Sequence, residues 1–326
     1  MVYMESAGTD PYFNLALEEY VFERMDRKKE YFILWQNDNT IVVGKNQNTA
    51  EEINREFVEE NGIRVVRRLS GGGAVYHDRG NLNFTFIVNR GSDEGMNFEI
   101  FTVPVLRVLE GFGVRAEFSG RNDITIGGKK FCGNAQYSRG GRTMHHGCIM
   151  LDSNLTNVSD ALRVREAKFD SKSVKSVRSR VTTINENASR PIAMEDFKAA
   201  LRGYLIDNEG LEPYEPTDAD IEEISKLRDE KYATFEWNYG ASPPYDIRRE
   251  MKFPAGLVTV FMKAERARIK EIRFYGDFFG GGDLRDLERA MEGLALDKSL
   301  EKALEGLDVS SYMNGISAAE LTRLLL

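Results

Sequence analysis

The amino-acid sequence predicts an α+β fold made of a large unit and a small one. Strand and helix patterns follow one another from about residue 10 to residue 232, and the chain is richest in strand patterns before Val88. The segment Tyr239–Pro244 then combines glycine, serine and two prolines, which is typical of a linker. Beyond it, two strands come before three helices, so the order of elements changes. We therefore expect a boundary between residues 1–246 and residues 247–326.

Composition argues against several classes of protein. The 326 residues are 41% hydrophobic and 29% charged, which is enough apolar material for a full core. No apolar run approaches the roughly 20 residues of a membrane helix, and the N-terminus lacks a secretory signal pattern. The net charge of −8 argues against general nucleic-acid binding. Cys132 and Cys148 form neither a disulfide framework nor a metal-ligand spacing, so we expect a cytoplasmic protein.

The first helix is predicted from its start signal. Asp10 is suited to cap this helix and Pro11 to occupy its first position, and apolar residues continue to about Met25. Two apolar runs follow, Tyr31–Trp35 and Thr40–Val43, with turn-forming Asn-Asp-Asn between them. The sequence therefore predicts that these two runs form a pair of strands around that turn.

The remaining elements are predicted from apolar periodicity, capping residues and turn residues. Helices are predicted at Ala50–Glu60, Phe98–Phe112, Ser159–Arg165, Met194–Asn208, Asp218–Tyr232, Leu284–Met291, Ser299–Leu307 and Ala318–Leu326. Strands are predicted at Ile63–Val66, Ile124–Ile126, Lys129–Cys132, Thr143–Leu151, Gly256–Lys263 and Ala267–Tyr275. Gly127-Gly128 forms the expected hairpin turn. The segment Ser171–Thr183 shows neither the helical nor the strand periodicity and is predicted to be a loop.

A glycine-rich motif stands between two predicted strands. It runs from Arg67 to Asp78 as Arg-Arg-Leu-Ser-Gly-Gly-Gly-Ala-Val-Tyr-His-Asp, and the apolar residues Leu82, Phe84 and Phe86 then alternate with polar ones as in a half-buried strand. Glycines let the backbone approach a ligand, successive N–H groups form a concave anion site, and paired arginines add a fork for phosphate or carboxylate. The glycines alone fit a simple hairpin turn equally well. The spacing matches neither the P-loop nor the G-x-G-x-x-G pattern.

A second glycine cluster provides a comparison within the same chain. Gly280–Gly282 has the same composition as the first cluster but no arginine pair before it. It leads into Asp283 and a charged helix pattern. We interpret it as a helix start capped by Asp283 rather than as a ligand site.

Two further segments are candidates for anion binding. Ser119–Asp123 leads into the hairpin that holds Lys130, and the glycines beside this lysine favour a reach towards a buried anion. A solvent-facing strand lysine is the commoner alternative. The segment Lys175–Arg180 places several cations and hydroxyl groups on the predicted loop. It fits either a lid over a phosphate or a solvated basic surface.

The histidines and cysteines favour structural roles. His145 and His146 are adjacent on a predicted strand, so their side chains point to opposite faces and do not readily chelate one ion. A zinc site is therefore not expected. Cys148, with a histidine nearby, leaves a thiol nucleophile open as an interpretation. A small buried apolar residue is the more common role for a free cysteine.

Taken together, these segments resemble the lipoate–protein ligase A family of the lipoate/biotin ligase superfamily. The matching segments run in family order across the large unit: Phe13–Glu19, Arg67–Asp78, Ser119–Asp123, Lys130 with Gly133–Ala135, His145–Gly147 and Ser176–Thr182. The resemblance implies a large catalytic domain of the biotin/lipoate ligase type, with a mixed or antiparallel sheet and flanking helices. The tail resembles the small α/β C-terminal accessory domain of the family.

The resemblance also implies a reaction. An ATP-dependent ligase of this family converts lipoate to lipoyl-AMP with release of pyrophosphate. It then transfers the lipoyl group to a lysine of a lipoyl domain, in E2 subunits of 2-oxoacid dehydrogenases or in the glycine cleavage H protein. Lys130 is the implied catalytic residue, placed between the lipoate carboxylate and the α-phosphate. ATP normally brings Mg²⁺, and Asp123 is the candidate for its neighbourhood.

The binding residues implied by the resemblance fall into two overlapping sets. The ATP and adenylate set is Arg68, Gly73, Ala74, Val75, Tyr76, Asn122, Asp123, Lys130, Lys175, Ser176, Val177, Arg178 and Arg180. The lipoate set is Arg68, Ser70, Gly71, Gly72, Gly73, His77, Lys130, Gly133, Ala135 and His146.

Three alternatives stay open at this point. Related octanoyltransferases use a cysteine nucleophile and no ATP, and Cys148 keeps an octanoyl or lipoyl transferase under consideration. A biotin ligase is close in chemistry, although the Arg-Arg-x-Ser-Gly-Gly-Gly form favours lipoate. A non-catalytic acyl-binding module is the third alternative. Neither a nucleic-acid partner nor a membrane is expected.

Overall fold

A mixed eight-stranded sheet forms the centre of the large N-terminal part in our computed structural model of the chain. The structure describes residues 1–89, 97–119, 122–162, 180–239, 247–297 and 299–326. The strands lie side by side in the order Glu212–Pro213, Val2–Glu5, Tyr31–Trp35, Asn81–Asn89, Arg142–Met150, Lys129–Arg139, Asp123–Ile126 and Glu117–Ser119. The first three in that order are parallel, and each later pair is antiparallel. The predicted α+β class with a large mixed sheet is confirmed.

A second, three-stranded sheet carries the glycine-rich motif. Thr40–Val43 lies at its centre, parallel to Arg64–Arg67 and antiparallel to Val75–His77. The motif connects the two outer strands, as its position between strand patterns predicts. The predicted pairing of Tyr31–Trp35 with Thr40–Val43 is wrong, because these strands belong to different sheets. Each finds its partners in distant parts of the chain, which a local turn pattern does not reveal.

The helix predicted over Ala50–Glu60 is interrupted. Two short helices occupy this stretch, Thr49–Glu52 and Arg55–Glu60. Between them Ile53 is extended and forms an isolated bridge with Leu162, and the Asn54 side chain caps the second helix. A tertiary contact therefore overrides the helical period at this point.

The first helix of the large part starts where its cap predicts. The Asp10 carboxylate accepts from the backbone N–H of Tyr12 at 3.1 Å, and the first helix runs over Pro11–Glu23. A 3₁₀ turn at Glu99–Phe101 comes before the helix that contains Pro104. The remaining helices of this part are Val103–Gly111, Leu155–Ala161, Met194–Glu209, Asp218–Leu227 with a π-helical turn at Arg228–Tyr232, and Phe235–Tyr239.

The hairpin that holds Lys130 has the predicted two-residue turn. Gly127 and Gly128 have φ angles of 56° and 76°, in the left-handed region that glycine adopts without a Cβ penalty. The turn joins Asp123–Ile126 to Lys129–Arg139. The hairpin therefore places the strand that starts at Lys129 between Asp123–Ile126 and Arg142–Met150 in the large sheet.

The strand Asn81–Asn89 differs from its prediction. Its alternation of apolar and polar residues predicts one buried face, but all its residues except Asn89 are buried. Phe84 and Phe86 pack in the main apolar core, whereas Asn83 and Thr85 face the other side of the sheet without reaching solvent. Buried polar side chains therefore lie on the face that packs against the helix Pro11–Glu23, where Thr85 donates to Glu18.

The C-terminal part has its own sheet and apolar core. Three antiparallel strands, Ile247–Phe253, Gly256–Glu265 and Arg268–Gly276, pack against four helices, of which the sequence did not predict the short Val309–Tyr312. The helices are Leu284–Met291, Leu300–Glu305, Val309–Tyr312 and Ala318–Leu325. The strand Ile247–Phe253 was also not predicted from the sequence. A separate C-terminal domain is therefore present.

The C-terminal domain contacts the glycine-rich motif directly. The backbone N–H of Gly276 donates to the carbonyl of Asn46 at 2.7 Å. The Phe279 ring lies 5.6 Å from that of Phe98 and packs with Ala135 in a small apolar cluster. A Cβ added to Gly72 would lie 3.2 Å from the Phe279 ring. The second glycine-rich segment therefore holds an aromatic ring over the first.

Several predicted features lie outside the described residues. They are the greater part of the loop Ser171–Thr183, the end of the helix Ser159–Arg165, and the linker after Tyr239 with the boundary at residue 246. The helix before them starts earlier than predicted, at Leu155. Among the helices that the structure describes, none combines the length and apolar character needed to cross a bilayer.

Candidate active site

A cavity of about 110 Å³ lies where the glycine-rich motif meets the large sheet. Its walls combine apolar side chains with amide, imidazole, thiol and cationic groups. It is lined by Leu15, Trp35, Val42, Arg68, Gly72, Gly73, Ala74, Val75, His77, Asn83, Asn122, Lys130, Gly133, Asn134, Ala135, His146, Gly147 and Cys148. This mixture suits a ligand with an apolar body and a polar end.

Most of the predicted site residues meet at this cavity. They are Arg68, Gly72, Gly73, Ala74, Val75, His77, Asn122, Lys130, Gly133, Ala135 and His146. Ser70, Gly71, Tyr76, Asp123 and Arg180 are not part of its lining. The Tyr76 side chain packs in a neighbouring apolar cluster and its hydroxyl donates to Asn39 at 3.0 Å. Lys175, Ser176, Val177 and Arg178 lie outside the described residues.

Arg68 holds the glycine-rich loop in its bent shape. One guanidinium nitrogen, Nη2, donates to the carbonyls of Gly71 at 2.7 Å and Gly73 at 2.8 Å. The Nε atom donates to Ser70 Oγ at 3.0 Å. Burial lowers the pKa of Arg68 to about 10, so the side chain remains a cation at neutral pH. The carbonyls of the loop therefore point at Arg68, and Gly72, with φ at 89°, completes the turn.

Arg67 has a different role from its neighbour. Its guanidinium donates to several backbone carbonyls, including those of Gly44 and Gln47, and to the Thr49 hydroxyl. Its Nε donates to the carbonyl of Trp237 at 2.9 Å. The idea that both arginines form one fork for an anion is therefore wrong. Arg67 fixes the segments around the loop to one another, and Arg68 is the arginine that reaches the cavity.

Lys130 is the cation on the opposite wall of the cavity. Its Nζ lies 2.7 Å from the Asp123 carboxylate across the hairpin. A Cβ added to Gly133 would lie only 2.6 Å from that Nζ, so glycine leaves the space through which the lysine side chain passes. The side chain is about one third exposed. Lys129, on the other face of the strand, points to solvent.

The end of the predicted basic loop lies beside Lys130. The backbone N–H of Lys130 donates to the carbonyl of Arg180 at 2.8 Å, and the N–H of Thr182 donates to the carbonyl of Lys130 at 2.9 Å. Val181 forms an isolated parallel bridge with Lys130. The backbone therefore ties the C-terminal end of this basic segment to the lysine.

The two adjacent histidines face opposite sides of their strand, as predicted. His145 stacks on Phe101 with the ring centroids 4.5 Å apart, and burial lowers its pKa. His146 lies on the cavity side, where Nε2 is 2.6 Å from Ser70 Oγ and Nδ1 is 3.0 Å from Glu18. Among the described residues, no group of three or more His, Cys, Asp or Glu side chains is arranged to hold a metal ion.

Two buried polar atoms of the cavity wall lack hydrogen-bond partners within the described residues. They are His77 Nε2 and Asn83 Nδ2. The Nδ1 atom of His77 lies 3.2 Å from Asn37 Nδ2, and burial lowers the pKa of His77 to about 3, so the ring is neutral. Buried polar groups in native proteins are normally paired, so two unpaired ones in a cavity wall indicate a place for ligand.

Cys148 lies in the cavity wall but lacks the features of a nucleophile. Its sulfur accepts a hydrogen bond from Asn81 Nδ2 at 3.1 Å. Burial raises the pKa of the Cys148 thiol to about 12. A reactive cysteine needs a lowered pKa, because the thiolate is the attacking species. The geometry therefore favours the packing role.

Several residues of the cavity wall were not predicted. Leu15 and Trp35 look like ordinary core residues of a helix and a strand, and Val42 lies in a wholly apolar strand. Asn83 was missed because the alternating pattern predicts that it faces solvent, whereas the structure buries both faces of its strand. The other unpredicted wall residues are Asn134 and Gly147, although both belong to segments that carried the family resemblance.

Comparison with known proteins shows the family of the chain. The model of the lipoyl protein ligase A/B catalytic domain matches residues 10–206, which is more than half of the chain. Lipoate–protein ligase 1 of Staphylococcus aureus is 44% identical over 318 residues, covering 97% of each chain. The chain belongs to the lipoate–protein ligase family. Lipoate-protein ligase LplJ of Bacillus subtilis is 41% identical to this ligase, again over 97% of each chain.

Solved structures of lipoate ligases share the fold of this ligase. The lipoate complex of LipL1 from P. falciparum has a TM-score of 0.75 at 25% identity, covering 89% of this chain and 88% of that one. A bipartite ligase from Thermoplasma acidophilum, described with its E2 lipoyl domain, has a TM-score of 0.65 at 27% identity and coverages of 76% and 98%. Lipoate-protein ligase A bound with ATP has a TM-score of 0.62 at 26% identity and coverages of 73% and 97%.

The C-terminal domain also belongs to the bacterial ligases. Residues 242–325 match the model of the bacterial lipoate protein ligase C-terminus. The named relatives are lipoate–protein ligases, and the raised pKa of Cys148 argues against a thiolate nucleophile, so the octanoyl or lipoyl transferase alternative is not favoured.

Proposed function

We propose that this ligase attaches lipoate to lipoyl domains in two ATP-dependent steps at the cavity described above. In the first step a carboxylate oxygen of lipoate attacks the α-phosphorus of ATP, the bond to the β-phosphate oxygen breaks, and pyrophosphate leaves. In the second step the amine of the acceptor lysine attacks the acyl carbon of lipoyl-AMP, AMP leaves, and the nitrogen loses a proton. Family membership and the mixed lining of the cavity support this assignment.

The observation that carries the proposal is the position of Lys130. It places a cation on the cavity wall opposite the glycine-rich loop, with Asn122 and Gly133 beside it. Both reactants of the first step are anions, so a cation shared between carboxylate and α-phosphate removes their repulsion. The same cation stabilises the charge that returns to the phosphate when AMP leaves. The Asp123 carboxylate, 2.7 Å away, keeps Lys130 aligned before the substrates arrive.

Arg68 acts through the loop that it holds. Its guanidinium bonds to carbonyls of the loop, which leaves the peptide N–H groups of Gly72 to Val75 available on the other side for phosphate oxygens. We assign Tyr76 to the support of this loop from the paired strand Val75–His77, because its side chain packs away from the cavity. In our proposal these N–H groups, with Asn122, form the nucleotide side of the site.

The acyl chain occupies the apolar part of the cavity. Leu15, Trp35, Val42 and Ala135 supply the apolar surface for the chain and its ring. His77 and His146 lie in the same wall, together with Gly133. Ser70 and Gly71 support this wall from behind, so we assign them to its shape rather than to direct contact.

A dedicated magnesium site is not part of the proposal. Asp123, the candidate for the neighbourhood of the ion, is paired with Lys130, and the described residues hold no acidic or histidine cluster. Mg²⁺ when bound would neutralise phosphate charge, and ATP would carry it into the site through its own oxygens. Asp123 is then a partner of the catalytic lysine.

The acceptor is a lipoyl domain, and E2 subunits of 2-oxoacid dehydrogenases and the glycine cleavage H protein are the proposed acceptors. The structural relative from Thermoplasma acidophilum, which is described with its E2 lipoyl domain, supports the class of acceptor. Lys175, Ser176, Val177, Arg178 and Arg180 are proposed to contact the adenylate, because the backbone of Arg180 is bonded to that of Lys130.

Isolation of the intermediate tests the proposal. The protein is incubated with lipoate and ATP in the absence of acceptor, and the bound small molecule is identified by mass spectrometry. We expect lipoyl-AMP, and we expect its lipoyl group to move to an added lipoyl domain without further ATP. A lipoyl group linked to Cys148 as a thioester would instead identify a transferase.

A further inference from the structure

Two chains of hydrogen bonds converge on the buried carboxylate of Glu18. The first runs from the glycine-rich loop: Arg68 Nε lies 3.0 Å from Ser70 Oγ, Ser70 Oγ lies 2.6 Å from His146 Nε2, and His146 Nδ1 lies 3.0 Å from Glu18 Oε1. The second runs from the acyl wall: Trp35 Nε1 donates to Thr85 Oγ1 at 2.9 Å, and the Thr85 hydroxyl donates to Glu18 Oε1.

The direction of each chain follows from its first donor. The Arg68 guanidinium and the Trp35 indole can only donate, so Ser70 and Thr85 accept from them and pass their own hydroxyl protons onward. Ser70 then donates to His146 Nε2, and His146 carries its proton on Nδ1 and donates it to Glu18. Glu18 is the acceptor at the end of both chains.

Glu18 does not touch the cavity, although it links two of its walls. The residue is 1% exposed and does not appear in the cavity lining, whereas Trp35, His146 and Arg68 all do. A buried carboxylate is costly unless its oxygens receive hydrogen bonds, so the groups that bond to it are held firmly in place. A change in the position of Trp35 or His146 would therefore alter the hydrogen bonds that reach Arg68 through Ser70.

We propose that Glu18 is a positioning residue that couples lipoate binding to the order of the nucleotide loop. Lipoate fixes Trp35 and His146 from the cavity side, which fixes the bonds of Glu18 and, through Ser70, the guanidinium of Arg68. Arg68 in turn holds the carbonyls of Gly71 and Gly73. Lipoate binding therefore prepares the loop for ATP, and ATP binding strengthens the hold on lipoate to the same degree. This inference rests on the proposed ligase function.

The order Glu18, His146, Ser70 also resembles a nucleophilic triad, but the geometry does not support that role. Ser70 is 1% exposed and does not line the cavity. Its oxygen already accepts a hydrogen bond from Arg68. Ser70 therefore transmits position rather than attacking substrate, and a fluorophosphonate probe should leave it unlabelled. Labelling of Ser70 would overturn the positioning role.

The test compares Glu18→Gln with Glu23→Gln in the full-length protein. Both changes remove one negative charge from the same helix, and Glu23 lies at the surface near Arg139. Titration calorimetry measures binding of a non-hydrolysable ATP analogue with and without saturating lipoate. In the parent and in Glu23→Gln we expect lipoate to tighten analogue binding about 5-fold or more, and in Glu18→Gln less than about 2-fold. Parent-like coupling in Glu18→Gln would overturn the proposal.

A second variant keeps the test decisive if Glu18→Gln folds poorly. Thr85→Val cuts only the chain from Trp35 and leaves the bond between His146 and Ser70, so analogue binding without lipoate should stay close to that of the parent, while the tightening by lipoate should be reduced but not abolished. Tightening equal to that of the parent would contradict the proposal.

The tautomer of His146 supplies a readout that loss of packing alone would not move. Nitrogen NMR of the three histidines in the parent should show the His146 proton on Nδ1. In Glu18→Gln the amide removes this preference, and a shift of the proton to Nε2 is expected. A proton on Nε2 already in the parent would reverse the first chain and overturn the proposal.

A failure of the proposed function is recognisable separately. If the parent binds neither lipoate nor the ATP analogue, or makes no lipoyl-AMP, the assignment as a ligase fails. If the parent makes lipoyl-AMP and Glu18→Gln retains full coupling, only the inference about Glu18 fails.

Discussion

The two glycine clusters of this chain have the same composition and opposite roles. At Gly71–Gly73 the backbone bends around a buried arginine and borders a cavity. Both clusters allow close packing, since a Cβ added to Gly71 would lie 2.5 Å from the carbonyl of Phe278 and one added to Gly280 would lie 1.8 Å from the carbonyl of Tyr312, but Gly280–Gly282 does not line the cavity. Asp283 then caps the following helix by accepting from the N–H of Arg285 at 3.0 Å. Three glycines are therefore not in themselves the signal for a site.

What separates the clusters is the polar environment that each meets. The first has a cation on either side, Arg68 behind the loop and Lys130 across the cavity. The second has the carbonyl of Ser311 accepting from Gly281 and Gly282 at 3.0 Å each, and the domain core beneath it. A substitution at Gly72 or Gly73 should therefore affect chemistry, whereas one in the second cluster should affect stability.

The largest expected effect is at Lys130, which makes the first cluster a reaction site. Removing one preorganised donor from a transition state costs about 3–4 kcal/mol, or roughly 100- to 1000-fold in rate. Lys130→Ala should therefore slow adenylation and also the transfer from preformed lipoyl-AMP. Rapid-quench assays of the two half-reactions measure both rates.

Lys129→Ala is the matched control for this change. It removes the same charge from the neighbouring position, on the solvent face of the strand. Its two rates should stay close to those of the parent. An inactive Lys129→Ala beside an active Lys130→Ala would contradict the assigned catalytic lysine.

The next largest effects are expected when one glycine of each cluster is replaced by alanine. Gly72 has φ at 89°, and a Cβ there would lie 3.0 Å from Arg68 Nη2, so Gly72→Ala should distort the loop and lower kcat/KM about 10- to 100-fold. Gly280→Ala should instead lower the free energy of unfolding of the C-terminal domain by about 2 kcal/mol or more. Steady-state kinetics and denaturant unfolding are measured for both variants. A loss of stability without a kinetic defect in Gly72→Ala, together with a kinetic defect without a loss of stability in Gly280→Ala, would contradict the roles assigned to the two clusters.

The two parts of the molecule should also respond to pH in opposite ways. Burial lowers the pKa of His77 from 6.5 to about 3, so the unfolded chain binds more protons in that range. The stability of the large part should therefore fall as pH drops below about 6.5. Burial raises the pKa of Glu288 from 4.5 to about 7, so the folded C-terminal domain binds more protons and its stability should fall as pH rises from about 4.5 to 7.

Glu288→Gln isolates the second of these effects. The amide keeps an acceptor for the N–H of Phe274, which lies 2.9 Å from Glu288 Oε1, and removes the buried charge. At pH 7 the variant should stabilise the C-terminal domain by about 1–3 kcal/mol and flatten its pH dependence. Hydrogen exchange of amides in Gly256–Glu265, measured between pH 5 and pH 7, reports the change. An unchanged pH slope would contradict the role of Glu288.

The smallest effect is expected at Cys148. Its thiol has a pKa of about 12 and accepts from Asn81, so it serves as packing in the cavity wall. Cys148→Ser should keep ATP-dependent lipoylation within several-fold of the parent. Complete loss of lipoylation in Cys148→Ser would return the cysteine to a catalytic role.

Local signals predicted much of the fold. The cap at Asp10, the Gly127-Gly128 turn and the helix capped by Asp283 each depend on interactions within a few residues, which sequence spacing records. The pairing of Tyr31–Trp35 with Thr40–Val43 was wrong because strand partners come from distant segments. The helix over Ala50–Glu60 was interrupted for the same reason, by a bridge to Leu162.

The candidate site also contains residues that local sequence patterns predicted and residues that they did not. Residues inside the glycine-rich motif and the Lys130 hairpin were predicted, because their glycines and cations form recognisable spacings. Trp35 and Leu15 were not, since nothing in an apolar residue indicates whether it faces a core or a cavity. The different roles of Arg67 and Arg68 also needed the fold, because the partners of Arg67 include Trp237, 170 positions away.

Pyrophosphate release is the most direct measure of the proposed first step. The full-length protein is mixed with lipoate and ATP together, with each alone, and with neither, and pyrophosphate is measured over time in each mixture. We expect release only when both substrates are present, with no acceptor required, and a strongly reduced rate in Lys130→Ala. Release that does not depend on lipoate, or lipoylation of an acceptor from an acyl donor in the absence of ATP, would contradict the proposed ligase reaction.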